Sequence, residues 1–131
     1  MFSQTFDRVT RRLHLRYAGF WTVEDALHVQ SQFKRAIDIA SAGGPFTLLD
    51  DLTGWGAQTQ EVVEINRQFV ELCRGAPILR SAMVVPSALV RMQVQRTLDD
   101  MDSALFPTFE EADAWLKEVE PNERQSLGGS S

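Results

Sequence analysis

The chain of 131 residues is 44% hydrophobic and 24% charged, with one cysteine and a formal net charge of −5. That is the make-up of a single soluble domain, long enough to bury a core without covalent staples. It excludes an intramolecular disulfide, leaves a cysteine-based metal site without ligands, and argues against nonspecific nucleic-acid binding, which needs a surplus of Lys and Arg.

No apolar run approaches the length that spans a bilayer, so no membrane insertion is expected. The opening "MFSQTFDRVTRR" lacks the apolar core and small-residue cleavage site of a secretory signal, making cytoplasmic residence the expectation. "RRLHLRYAGFW" (11–21) alternates apolar and polar residues, which predicts a strand with Leu13, Leu15 and Tyr17 on one face and His14 and Arg16 on the other. "SQTF" (3–6) can pair with it as a short hairpin around Asp7–Thr10.

Thr22 opens "TVEDALHVQSQFKRAIDIAS", where a hydroxyl followed by Glu24 and Asp25 suits the exposed N–H groups of a helix start. Val23, Ala26, Leu27, Phe33, Ile37 and Ala40 recur at helical spacing, and "AGGP" (42–45) stops the helix. "FTLLDDL" (46–52) reads as a short apolar strand leading into a turn over 53–58. A second helix follows from the N-cap Thr59, with Val62, Ile65, Phe69, Leu72 and Cys73 inward and Gly75 and Pro77 at its end. "ILRSAMVVP" (78–86) is a buried strand, and "SALVRMQVQRTLDDM" (87–101) a third helix with Val90, Val94, Leu98 and Met101 inward. "ALFPTF" (104–109) reads as an edge strand because Pro107 cannot donate to a ladder. The last helix, over 108–119, opens with a Thr-x-x-Glu capping box and buries Ala112, Leu116 and Val119.

Strands separated by helices need crossovers, so this order predicts an α/β fold: a mixed, mostly parallel central sheet of about five strands with about four helices. The domain is expected over 1–121, followed by a flexible tail, "NERQSLGGSS" (122–131). The basic stretch "DRVTRRLHLR" (7–16) and the acidic stretch 98–123 read as two solvated surfaces, able to bring one copy against another head to tail.

Candidate chemistry is sparse. Asp50 and Asp51 are adjacent on a strand, so their side chains point to opposite faces and should not form an acid/base pair. His14 and His28 have no ligand-spaced neighbours, no nucleophile elbow or phosphate-binding loop is present, and no catalytic residue, metal or cofactor is assigned. "FVELCRG" (69–75) makes Cys73 a buried structural thiol. Met83, Met92 and Met101, with Phe33 and Phe69, read as core filling, although an apolar ligand between helices and sheet would look the same. The better candidate is the loop after the central strand, with Asp51, Thr53, Gly54, Trp55, Gly56 and Thr59. Its position at the carboxyl end of a sheet strand is where ligands and partners gather. Trp55 there is either a docking anchor between flexible glycines or a ring folded over the core.

"LRYAGFWTVEDA", "FTLLDDLTGWG" and "FEEADAWL", in that order over residues 11–117, resemble the STAS superfamily and within it the SpoIIAA-like (STAS/SEC14-type) branch. The resemblance implies a mixed sheet packed by helices and a protein that acts by partnership. In anti-sigma-factor antagonists it implies a phosphorylated serine at the start of the helix after this strand. Where those carry Asp-Ser-Ser-Gly this chain has "QTQEV" (58–62), and Thr59 is the hydroxyl nearest that position. Thr53 matches the Ser/Thr of the strand end. The expected function is a non-enzymatic cytoplasmic interaction module, with a protein partner or a second copy (a homodimer) meeting the 53–59 loop. The alternative is a small binding protein for a lipid-like or other apolar ligand.

Overall fold

The computed structural model describes residues 1–56, 58–97 and 103–121; the expectations for Leu98, Met101, the side chain of Val94 and the tail 122–131 lie outside them. The hairpin forms as β1 (Phe2–Asp7) against β2 (Arg12–Gly19), antiparallel. Asp7 closes the turn by accepting the Val9 and Thr10 amides. Helix α1 (Val23–Ala42) begins at a complete capping box in which Thr22 and Asp25 satisfy each other's amides. Then come β3 (Phe46–Trp55), α2 (Gln60–Cys73), β4 (Ile78–Val84), α3 (Ala88–Thr97), β5 (Ser103–Phe106) and α4 (Phe109–Lys117).

The sheet order is β1-β2-β3-β4-β5, antiparallel at β1 and parallel elsewhere, as the alternation of strands and helices requires. Leu13, Leu15 and Tyr17 of β2, and Phe46, Leu48 and Leu52 of β3, face a core shared with Ala26, Phe33, Ile37, Val62 and Phe69 of α1 and α2. On the other face Leu49, Ala82 and Val84 meet Ala112 and Leu116 of α4. The central strand is thereby covered on both sides.

Two expectations fail in detail. Val23 and Leu27 are exposed, and Val29 and Ala36 take their places in the α1 stripe, because the buried arc of a helix over a sheet is set by the angle of approach. Met92 is 60% exposed and fills no core. At α4, Thr108 accepts the Glu111 amide as a cap.

The basic and acidic stretches are not separate surfaces. Arg12, at the start of β2, donates to Glu120 from Nε and Nη2, each at 2.8 Å, and to Asp113 from Nη1 at 2.7 Å. Glu120 also accepts from the hydroxyl of buried Thr47 in β3. Charges that read as opposite poles meet inside one chain and tie the last helix across β2 and β3. Neighbouring Arg11 does similar work on the other side, donating to the carbonyls of Ala40, Gly44 and Pro45 where α1 ends.

The Arg12 side chain is 12% exposed and that of Glu120 is 2% exposed, so removing one partner leaves the other charged group buried without its counter-ion. Arg12→Ala is therefore expected to destabilise the fold by about 3 kcal/mol in urea unfolding, against less than about 1 kcal/mol for breaking the exposed Lys34–Asp38 pair by Lys34→Ala.

Candidate functional site

The residues singled out by sequence sit at the carboxyl end of β3, but not as a loop. β3 continues through Thr53 and Gly54 to Trp55, paired with β2 at Ala18↔Gly54 and Gly19↔Trp55. The turn expected over 53–58 is thus strand as far as Trp55. Sequence missed this because Thr-Gly-Trp-Gly carries a turn composition. Gly54 answers a different need: a Cβ there would lie 3.1 Å from the Cβ of Ala18, where the β2–β3 register shifts. Neither Gly54 nor Gly56 has a positive φ, so neither takes the left-handed conformation that favours glycine.

Trp55 turns inward. It is 8% exposed, with its ring edge-on to Trp21 at 4.3 Å between centroids and to Tyr17 at 5.9 Å. Of the two readings, the ring over the core is the one realised, and Trp55 offers no anchor to a partner. Exposed around it are Thr53, Gly54, Gly56 and Thr59, with Asp51 half-buried. Thr59 caps α2, its hydroxyl accepting the Val62 amide at 3.3 Å. Asp51 accepts from the backbone amide and the hydroxyl of Thr53, fixing the strand end.

The missed residue is Gln58. Its side-chain oxygen accepts the Trp21 amide at 2.9 Å, while its amide donates to the carbonyls of Gly19 at 2.9 Å and Gly56 at 2.8 Å. One buried amide therefore stitches the segment before α2 to the segment before α1. Two of its three backbone partners, Gly19 and Trp21, lie 39 and 37 residues away, so no local pattern could have signalled it.

The two carboxylates part as the pleat demands. Asp50 is 3% exposed and accepts the Tyr17 hydroxyl at 3.1 Å. Burial pushes its carboxyl up to about 7, with the Tyr17 hydrogen bond pulling the other way. Burial likewise pushes the Cys73 thiol up to about 12, keeping it protonated and inert. On the opposite face His14 stacks on Phe109 with centroids 6.1 Å apart. Burial lowers its pKa, opposed by Asp51 and assisted by Arg12 and Arg16. Beside it Thr5, Phe6, Asp7, Arg12 and His14 line a hollow of about 350 Å³. Among the described residues no group of three His, Cys, Asp or Glu side chains is placed to hold a metal ion. No described helix is long and apolar enough to cross a membrane. Between α1 and α2 the Phe33 and Phe69 rings pack with centroids 4.8 Å apart.

No protein-family model matches this sequence, and no curated protein does. Solved structures do match its fold. The anti-sigma factor antagonist SpoIIAA in its unphosphorylated form aligns with a TM-score of 0.64 at 13% identity, covering 91% of this chain and 100% of that one. A Shewanella loihica protein of the DUF3478 family, described as having a SpoIIAA-like fold, aligns at 0.63 and 18% identity over 88% and 93% of the two chains. An anti-sigma factor antagonist from Mycobacterium paratuberculosis aligns at 0.57 and 14% identity over 89% and 95%. The fold is SpoIIAA-like, as the sequence motifs implied.

Two expected outcomes follow from this geometry. Trp55→Ala should lower stability by about 3–5 kcal/mol in chemical denaturation, because it empties a packed aromatic cluster rather than a contact surface. Burial holds the Asp50 carboxyl up at about 7 against its ordinary 3.8, so the folded state binds the proton more tightly. Its contribution to stability is present at low pH and declines as pH rises from about 4 to about 7. Asp50→Asn should remove that decline, on the order of 4 kcal/mol, when unfolding free energies of the two proteins are compared across this range.

Proposed function

We propose that the chain is a non-enzymatic interaction module acting in the cytoplasm, which meets a protein partner at the carboxyl end of its parallel strands. The contact surface comprises Asp51, Thr53, Gly54, Gly56 and Thr59 together with Phe20, Val23 and Leu27 from the segment after β2. The observation that carries this reading is the exposure of Phe20 at 67%, Val23 at 38% and Leu27 at 50%. Val23 and Leu27, four residues apart, lie on one side of the first turns of α1, and Phe20 stands just before its cap. β2 and β3 run parallel, so this apolar strip shares an end of the sheet with the β3 terminus. It supplies the desolvating contact that buried Trp55 does not, and the small polar residues beside it let a partner backbone approach closely. The likeness of the fold to anti-sigma factor antagonists is consistent with partnership.

Burial pushes the Asp50 carboxyl up to about 7, but it is sealed in the core against Tyr17, which favours a structural role over a catalytic one. A second element concerns Thr59. It is exposed at the N-terminus of α2, where a phosphate would meet unpaired amides and the positive end of the helix. Phosphorylation there would alter the charge of the proposed surface.

The double substitution Phe20→Ser with Leu27→Ser should reduce capture of protein partners from lysate of the source cells by about tenfold or more, while the melting temperature stays within a few degrees of wild type. Unchanged capture by the folded double variant would remove this surface from the reading. Thr59→Glu and Thr59→Ala, compared in the same assay, separate an effect of added charge from loss of the cap.

A further inference from the structure

β1 and β5 end the sheet, and their outer edges are built differently. β5 has four residues and is followed at once by Pro107, a short strand with little to pair. β1 has six residues, runs in unbroken register with β2, and carries neither proline nor any charge from Phe2 to Phe6. Lys, Pro and bulges are the usual devices that keep a strand edge from pairing, and β1 has none of them.

The ladder shows which groups face outward. Met1 and Ala18 exchange both main-chain hydrogen bonds, at 2.9 and 2.8 Å, so they form a closely bonded pair. In an antiparallel ladder such pairs alternate, which places the bonds to β2 at Ser3, Thr5 and Asp7. Phe2, Gln4 and Phe6 then turn their amides and carbonyls to the open edge. Among the described residues β2 is the sole strand neighbour of β1.

We propose that this edge is the contact between two copies of the chain, joined β1 to β1 about a two-fold axis at Gln4. The pattern is self-complementary. Centring on Gln4 sets Phe2 opposite Phe6 of the second copy, Gln4 opposite Gln4 and Phe6 opposite Phe2. All three are outward-facing positions, so the pairing forms about six main-chain hydrogen bonds without disturbing either hairpin. No charge opposes a like charge along the paired segment, which a different partner strand would have no reason to match.

The layer above the sheet fits the same arrangement. α1 packs over β1 and β2. With strands about 4.8 Å apart, the two-fold sets the two α1 axes about 10 Å apart and antiparallel, at the outer limit of helix packing distance. Gln30 of α1 bonds Gln68 of α2 at 2.8 Å and so marks the flank facing α2. Ile39 stands nine residues on, about half a turn round the helix, on the flank that looks outward over β1. It is 63% exposed, an apolar side chain with no role inside one copy and a place between two. The joint lies along a strand edge, apart from the carboxyl-end surface of the previous section, and stands or falls without it.

Sedimentation velocity on the full chain across a concentration series tests the joint. The mass should rise from one chain to two as concentration increases. Gln4→Lys and Gln4→Glu, each of which sets like charges on the axis, should each weaken self-association by about tenfold or more. An equimolar mixture of the two should restore it, since unlike charges then meet at the axis. Gln4 is exposed, and matched circular dichroism and melting temperatures show that each variant is folded. A wild-type chain that stays single at every concentration, or charged variants that pair as wild type does, overturns the proposal. So does loss of self-association in Phe20→Ser with Leu27→Ser, which moves the contact to the other surface.

Discussion

A strand with neighbours on both edges and layers on both faces has no solvent side, and β3 is such a strand. Its period of two assigns every residue to one core or the other: Phe46, Leu48 and Leu52 toward α1 and α2, Thr47 and Leu49 toward α4. Asp50 falls in the first series and is forced into an apolar layer, where the Tyr17 hydroxyl is its partner and its proton is held to near-neutral pH. Asp51 falls in the second, at the margin, and spends its oxygen on Thr53. Two adjacent carboxylates thus acquire unlike chemistry from one geometrical rule.

The same strand sets the boundary of the candidate surface. Because β3 remains paired with β2 through Gly54, Trp55 is delivered to the aromatic cluster of Tyr17 and Trp21. The backbone that emerges is then pinned by Gln58 to Gly19 and Trp21. The starts of α1 and α2 are consequently one unit, with the apolar strip of Phe20, Val23 and Leu27 on one part and Thr59 on the other. A charge placed at Thr59 would act on a surface whose two halves are already joined through a buried amide.

Electrostatics close the opposite end. Arg12 gathers Glu120 and Asp113, and Arg11 gathers the carbonyls where α1 stops, so consecutive arginines secure the two helical layers on the two faces of the sheet. A sequence with separated basic and acidic stretches suggests poles. In the fold, separation along the chain becomes proximity across the sheet.

Element types and order, and the caps at Thr22, Thr59 and Thr108, were legible from residue patterns because they depend on neighbours three or four positions away. So was the split of Asp50 from Asp51, which needs only the alternation of a strand. What residue order by itself determined is therefore an α/β layer structure of SpoIIAA-like type. Tertiary structure decided the rest. The end of β3, the burial of Trp55, the exposure of Leu27 and Met92, the stitch at Gln58 and the Arg12 cluster all turn on contacts between residues distant in sequence. Such contacts depend on where whole elements come to rest, and no local pattern encodes that position.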